Sequence, residues 1–415
     1  MTTILPQPIL SSTTHTDIEK QIKQIAEDLI LRKDRIKDVG LLSGKCGITL
    51  LFAYLSKVYS DPAYTTVTFD LLEQLGESLA NEELDHNISS GLTGIAFVFQ
   101  HLRNMNIIDK SEDLNLGEID EFIGRGIDYD FATENWDPLH GMTGLGIYFL
   151  ERNKETGDTI YLEKIVDHLS KMRRNEGPYK LWMTKGFGRF SNDNFNFGMA
   201  HGMPGIISFL AQVYERGIKQ AEIKEMLENS IPYLLENEFE PENACRYPFS
   251  IDVKNPAVPI AKFSRLGWCY GDLSLALMLI HSGRALKNAA WTDKGLDIAL
   301  QTTKRDFENS GCDDAPFCHG TTGLIHQYHR LFKATGNTAF KQAADKWYEE
   351  TIKHFYKPTS SSSGYFFYTY DLETDQQIAV VNDGLLEGNA GIALIYLSYI
   401  YQITPEWDII FLTNV

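Results

Sequence analysis

Residues 201–214 read HGMPGIISFLAQVY, a Gly-x-x-Gly turn followed at once by an apolar run. The same pattern recurs along the whole chain. It appears as SGKCGITLLFAYL from residue 43, SGLTGIAFVFQHL from 90 and HGMTGLGIYFL from 140, then as HGTTGLIHQYHRLF from 319 and EGNAGIALIYLSYI from 387. A variant, YGDLSLALMLIHS from 270, makes seven copies, with leading glycines at 44, 91, 141, 202, 271, 320 and 388. Self-similarity at spacings of 47 to 69 residues marks a repeat architecture whose unit is a pair of helices with connections. Each copy reads as a Gly-rich turn opening a helix that is apolar nearly all round, and such a helix is buried.

Between the copies lie amphipathic stretches: residues 17–33, 65–79, 161–172, 223–238 and 339–355. Their apolar residues fall at i, i+3, i+4 and i+7, one helical face. Buried helices alternating with amphipathic ones seven times over predict an all-α fold, an α/α toroid of seven inner and seven outer helices. With no linker dividing the chain, a single domain over 1–415 is expected. Two segments break the helical pattern. Residues 174–200 are rich in Gly, Asn and aromatics, and 358–386 carry YFFYTYD and QQIAVV around LETD, the signature of a β-hairpin. Both precede a Gly turn and are expected as small β-containing insertions at the rim of one end.

Composition narrows the function. A formal net charge of −18 argues against nucleic-acid binding, which wants a basic footprint. No apolar run approaches the ~20 residues a membrane span needs. The start, MTTILPQPILSSTTHTDIEK, has no basic-then-apolar secretory pattern, so a cytoplasmic location is expected. Five cysteines, at 46, 245, 269, 312 and 318, are an odd number and no disulfide framework. They are expected as thiols, either packed or acting as ligands.

If all seven turns open helices that run one way, residues far apart in sequence converge at one end. Cys269 and Cys318 each stand two residues before the leading glycine of consecutive copies, and His319 follows Cys318. Two thiolates and an imidazole suit zinc, and three protein ligands leave a fourth position open for chemistry. Such a zinc activates either a thiol or a water, and the spacing does not choose between them. Cys312 is the rival ligand but lies outside the turn. Cys46 and Cys245 read as packing.

His201, just before a Gly turn, is a candidate for proton exchange, or else a residue that packs at a helix start. Asp137, four residues ahead of Gly141, either orients a base or caps a helix. Arg265 and Tyr270 flank Cys269 and either stabilise an oxyanion or pack on the rim. No second element converges on His140 or His86 from spacing alone.

WCYG at 268–271, AHG at 200–202, CHG at 318–320 and the seven Gly turns resemble the lanthionine synthetase C-like family, the lanthipeptide cyclases. The resemblance runs from the turn at 43 to the turn at 388. It implies one zinc per chain on Cys269, Cys318 and His319. The implied reaction is Michael-type addition of peptide Cys thiols to dehydroalanine or dehydrobutyrine, forming lanthionine or methyllanthionine. Proton transfer would fall to His201 and Asp137, with Arg265 and Tyr270 as further site residues. The implied partners are a dehydrated precursor peptide, a separate dehydratase and an export transporter, in a complex at the membrane. In one departure, the Pro-Gly that often follows WCYG in the family is replaced, and residues 271–274 here read GDLS, where Ser274 is expected to start the helix. Three other readings stand beside this one. They are a zinc enzyme adding glutathione or another thiol to dehydroamino acids, a non-catalytic peptide-binding toroid, and a hydrolase pairing Asp137 with Asp272 or Glu387.

Overall fold

The computed structural model describes residues 12–185, 192–239, 245–255, 264–359, 363–365, 367–371, 374 and 376–415. The first eleven residues, and parts of both predicted insertions (186–191 and 360–362), lie outside these. In chain order the elements are α1 (Ser12–Arg32), α2 (Lys45–Tyr59), α3 (Pro62–Asn81), α4 (Leu92–Asn104), α5 (Leu116–Ala132), α6 (Met142–Thr156) and α7 (Ile160–Met172). Then come β1 (Arg174–Glu176), β2 (Tyr179–Leu181), β3 (Asn194–Asn196), α8 (Met203–Glu215), α9 (Gln220–Glu236), β4 (Ser250–Asp252), α10 (Asp272–Ala285) and α11 (Ala289–Thr302). The chain ends with α12 (Phe307–Ser310), α13 (Thr321–Thr335), α14 (Thr338–Phe355), β5 (Phe367–Asp371), β6 (Gln376–Val380) and α15 (Asn389–Ile400).

Every Gly turn ends where a helix begins: α2, α4, α6, α8, α10, α13 and α15 start one residue after the leading glycine. These helices are buried, α15 along its whole length and α8 from Met203 to Val213. The five amphipathic stretches form α1, α3, α7, α9 and α14. Two further outer helices, α5 and α11, had not been picked out. The α5 sequence LGEIDEFIGRGIDYDFA carries three glycines, residues that punctuate a sequence as turns do, and α11 is 14 residues long.

The residues form two compact units. One comprises Met1–Leu116, Asp313–His329 and Lys341–Trp407, and the other Gly117–Cys312, Arg330–Phe340 and Asp408–Val415. In the first, α15 packs on α2 and α2 on α4, with α1 against α15 and α3 against α2 and α4. In the second, α8 lies between α6 and α10, and α7, α9 and α11 cover α6, α8 and α10. Within each unit these inner helices pack on inner helices, with outer helices behind them. The predicted hairpin is present as β5–β6, antiparallel with Phe367 opposite Val380. The earlier insertion gives a β1–β2 hairpin and β3, which pairs with β4 so that Asn196 faces Ser250. No described helix is long and apolar enough to cross a membrane.

The turns share one construction. A helix start leaves four N–H groups without intrahelical partners. In five turns the N–H of the first helical residue reaches the carbonyl seven residues back: Lys45 to Asp38 (2.8 Å), Leu92 to Asp85 (2.7 Å), Met142 to Asn135 (3.2 Å), Thr321 to Asp314 (3.1 Å) and Asn389 to Asn382 (2.9 Å). In the first three of these turns, closing so tight a loop brings that same carbonyl against the leading glycine. A Cβ on Gly44 would lie 2.2 Å from the Asp38 oxygen, and one on Gly91 would lie 2.1 Å from that of Asp85. These glycines hold extended φ, so close approach rather than backbone freedom demands them.

Gly271 is the exception, at φ +123° with its Cβ position 2.1 Å from the Arg265 oxygen. The turn whose sequence departs from the repeat is therefore also the one with different backbone geometry. Ser274 does not cap α10 as expected. It sits inside the helix, and its hydroxyl donates back to the Gly271 carbonyl at 3.0 Å.

Gly271→Ala should therefore destabilise the protein by about 1–3 kcal/mol, from a strained backbone conformation and a backbone clash together. Gly76→Ala, inside α3 with nothing within 4 Å of the added carbon, should stabilise it by about 0.5–1 kcal/mol. Urea unfolding checks both signs.

Candidate functional site

Counting back from the first helical residue gives each turn a common numbering. Position −3 is Leu42, Ser89, Leu139, Ala200, Cys269, Cys318 and Leu386, and position −2 is Ser43, Ser90, His140, His201, Tyr270, His319 and Glu387. Within each unit, backbone bonds lace neighbouring turns together at position −3. In the first unit the Leu42 N–H donates to Ser89 (3.1 Å), Leu386 to Leu42 (2.9 Å) and Cys318 to Leu386 (3.2 Å). In the second unit Ala200 donates to Cys269 (3.3 Å). Cys269 and Cys318 thus occupy the laced position of consecutive copies, one in each unit, and each is held there by main-chain bonds. Neither side chain is well exposed: Cys318 is buried and Cys269 half-buried.

Position −2 carries the polar chemistry. In the second unit, His201 Nδ1 lies 2.8 Å from Asp137 Oδ2. The other Asp137 oxygen accepts the N–H groups of Leu139 and His140 at 2.8 and 2.9 Å. Asp137 is thus a turn cap and a histidine partner at once. An ionised carboxylate only accepts, so Nδ1 donates to it and Nε2 is the nitrogen left for chemistry. His140 stacks on His201, with centroids 5.8 Å apart and planes at 14°. Spacing alone had given His140 no partner. Its shared position −2 with His201 was the signal that could have found it.

Burial by itself would lower the His201 pKa, but the hydrogen bond and charge of Asp137, with the nearby Cys269 sulfur, carry it above 6.5. For Asp137 burial acts upward, and the His201 bond, the His201 charge and the two N–H groups together carry the carboxyl below 3.8.

The WCYG segment is held on several sides within this unit. Trp268 is buried and donates Nε1–H to the Phe411 carbonyl at 2.7 Å. Tyr270 stacks on Phe249 at 3.7 Å between centroids, and its hydroxyl accepts from Asn196 Nδ2 at 3.0 Å. The Asn196 amide orientation is fixed because its oxygen accepts the Gly198 N–H at 2.8 Å. The tyrosine's own hydrogen is therefore donated away from Asn196. A Cβ on Gly198 would lie 2.4 Å from the Tyr270 ring and 2.7 Å from the Cys269 oxygen, so only glycine admits both. Asn196 and Gly198 lie in the irregular insertion, and the one signal for Asn196 is the Asp or Asn that recurs seven residues ahead of the inner helices.

Other candidates are placed differently. Arg265 stands at the start of the WCYG turn, but its guanidinium makes no hydrogen bond or ion pair among the described residues. Cys312 is buried, with its thiol donating to the Leu266 carbonyl at 3.3 Å. Cys245 is buried and accepts the Ser264 N–H at 3.2 Å, and Cys46 is fully buried, which pushes its thiol pKa up. Asp272 spends both oxygens on the N–H groups of Arg246 and Tyr247, at 2.8 and 3.1 Å, and burial pushes its pKa up to about 6. It ties a loop to α10. In the first unit, His319 Nε2 lies 3.1 Å from Asp314 Oδ2.

The His201–Asp137 pair has a definite pH signature. A raised histidine pKa contributes stability that is full below 6.5 and lost as pH rises through the folded value. A depressed carboxyl contributes stability that is full above 3.8 and lost as pH falls through its folded value. The pair therefore stabilises most between these limits. In an NMR titration His201 should titrate above 6.5 in the wild type and below it in Asp137→Asn, where burial acts unopposed by that charge. Equal values in the two proteins would contradict the pairing.

Residues 35–412 match the family described as Lanthionine synthetase C-like protein. The nisin biosynthesis protein NisC of Lactococcus lactis subsp. lactis is 25% identical over 414 residues, covering 93% of this chain and 92% of that protein. The solved structure of a nisin cyclase superposes with a TM-score of 0.76 at 22% identity, over 97% of this chain and 98% of the other. A cellobiose 2-epimerase from Bacillus thermoamylovorans B4167 follows at a TM-score of 0.49 and 12% identity, over 94% of this chain and 99% of that one. The all-α toroid class expected from the repeat is thus the observed fold class. With a family match across nearly its whole length, the chain belongs to the lanthionine synthetase C-like family.

Proposed function

We propose that this protein is a zinc-dependent lanthipeptide cyclase, adding peptide Cys thiols to dehydroalanine or dehydrobutyrine to close thioether rings. The observation that carries the reading is the turn geometry of the second unit, where a histidine oriented by Asp137 stands beside the turn that presents Cys269.

The donor set fits the metal: two thiols and an imidazole are what zinc takes in open, catalytic sites. Cys269, Cys318 and His319 would hold it, since the two cysteines occupy the same main-chain-fixed position in consecutive copies and His319 follows directly. When bound, zinc lowers the pKa of a thiol and keeps it a thiolate near neutral pH.

The remaining steps belong to the chain's own residues. Addition of sulfur to the β-carbon moves the alkene electrons onto the α-carbon and its carbonyl, and one proton must then reach the α-carbon. His201 is the donor in this reading, through Nε2, because Asp137 holds Nδ1 and favours the charged ring. Tyr270, whose hydroxyl is anchored by the Asn196 amide, is carried as a group for the enolate oxygen. Arg265 is carried as a second group for that oxygen. His140, stacked on His201, limits how the ring can turn. A separate dehydratase would prepare the substrate and an export transporter would take the product, with the cyclase in the cytoplasm or at a membrane-bound complex.

The test is a synthetic peptide carrying one Cys and one dehydroalanine, incubated with the purified protein with and without a zinc chelator. Free thiol should disappear only without chelator. His201→Asn should slow ring closure by roughly 10²-fold or more while zinc content stays unchanged. Closure at the wild-type rate with zinc retained would remove His201 from the mechanism. Supplying glutathione to a peptide whose Cys is blocked separates the ring-closing activity from general thiol addition, and no adduct is expected. We further propose that the chain is one domain, which predicts a single calorimetric transition, whereas two separated transitions would contradict it.

A further inference from the structure

Seven residues ahead of each inner helix the turns carry Asp38, Asp85, Asn135, Asn196, Arg265, Asp314 and Asn382. Six of the seven are Asp or Asn, and the usual use of that side chain is local. Asp38, Asn196 and Asn382 each accept the N–H two residues on, from Gly40 (2.7 Å), Gly198 (2.8 Å) and Gly384 (2.9 Å). This turn-closing bond is the ordinary habit of a short side-chain oxygen.

Asp314 cannot make it. The residue two places on is Pro316, which has no N–H to give. Its carboxylate turns instead to the histidine of its own turn, with Oδ2 3.1 Å from His319 Nε2, while Oδ1 is buried without a hydrogen-bond partner. A buried oxygen left unpaired costs about 1–3 kcal/mol, so this placement runs against the turn's own stability.

On the proposed zinc reading, we infer that Asp314 is the positioning residue for His319. By accepting the Nε2 proton, it fixes the tautomer in which Nδ1 carries the lone pair for the metal, and it holds the ring against rotation. Histidine ligands commonly donate their second ring N–H to a carboxylate, which sharpens both orientation and basicity. The proline at 316 denies the carboxylate the bond that Asp38, Asn196 and Asn382 make, leaving it for the histidine. Asp314 itself is not a ligand here.

The experiment measures zinc affinity of the full-length protein by competition with a chromophoric chelator, with the zinc-edge X-ray absorption spectrum as a second readout. Asp314→Ala should bind zinc 10–100-fold more weakly, and Asp314→Asn, whose amide oxygen still accepts, should lie between it and wild type. The variant Glu308→Ala, at an exposed residue outside the turn, should match wild type. Wild-type affinity in Asp314→Ala would overturn the inference while leaving the zinc reading intact. An oxygen neighbour of zinc that vanishes in Asp314→Asn would also overturn it, making the carboxylate a ligand. A wild-type protein that binds no zinc would overturn this inference and the proposed function together. Should Asp314→Ala fail to fold, Asp314→Asn carries the comparison.

Discussion

The structure depends on one main-chain constraint, the closed turn in which the first N–H of an inner helix reaches the carbonyl seven residues back. That bond gives a helix-start donor an acceptor and forces the chain into a loop so tight that the leading residue has no room for a Cβ. Threonines add a second tie in some copies: the Thr143 and Thr322 hydroxyls donate to Trp136 and Ala315, each at 2.6 Å. A turn this rigid does more than start a helix. In the five copies that close this way it sets positions −3 and −2 at a fixed register ahead of the helix.

Function is written onto those positions. Where they carry Leu42, Ser43 or Ser89 they serve packing and lacing, and Cys269, Cys318, His201 and His319, the proposed ligands and proton donor, stand at the same two register positions. The electrostatics follow from placement. His201 is half-buried, which disfavours its charge, yet one carboxylate held by two backbone N–H groups reverses the balance. The β-containing insertions contribute what the turns cannot. Asn196 on β3 and Phe249 beside β4 grip Tyr270 from its hydroxyl and its ring face.

Much of this was legible in the sequence because the constraint leaves glycine at a fixed register. The seven turns, the inner helices behind them and the amphipathic partners of five could be read from Gly-x-x-Gly and a 3.6-residue period. The matched offsets of Cys269 and Cys318 on consecutive copies were legible for the same reason, and the proposed metal site rests on them. What escaped was whatever depends on contacts between turns. His140 shares its register with His201, but stacking is invisible until the two turns lie side by side. Asn196 and Asp314 look like ordinary turn residues, and only the direction of each side chain separates a bond to Gly198 from one to His319. The α5 helix escaped although its apolar residues keep the helical period, because its three glycines read as turn punctuation, and the positive φ of Gly271, which leaves Ser274 inside the helix, cannot be read from GDLS.

The central claim is that Cys269, Cys318 and His319 together hold one zinc ion. The most direct test is a zinc-edge X-ray absorption spectrum of the stoichiometrically loaded protein, taken alongside Cys269→Ser. The account predicts two sulfur neighbours and one imidazole nitrogen in the wild type, and a loss of one sulfur or of the metal in the variant. A wild-type zinc with only nitrogen and oxygen neighbours, or a spectrum unchanged by Cys269→Ser, would contradict it.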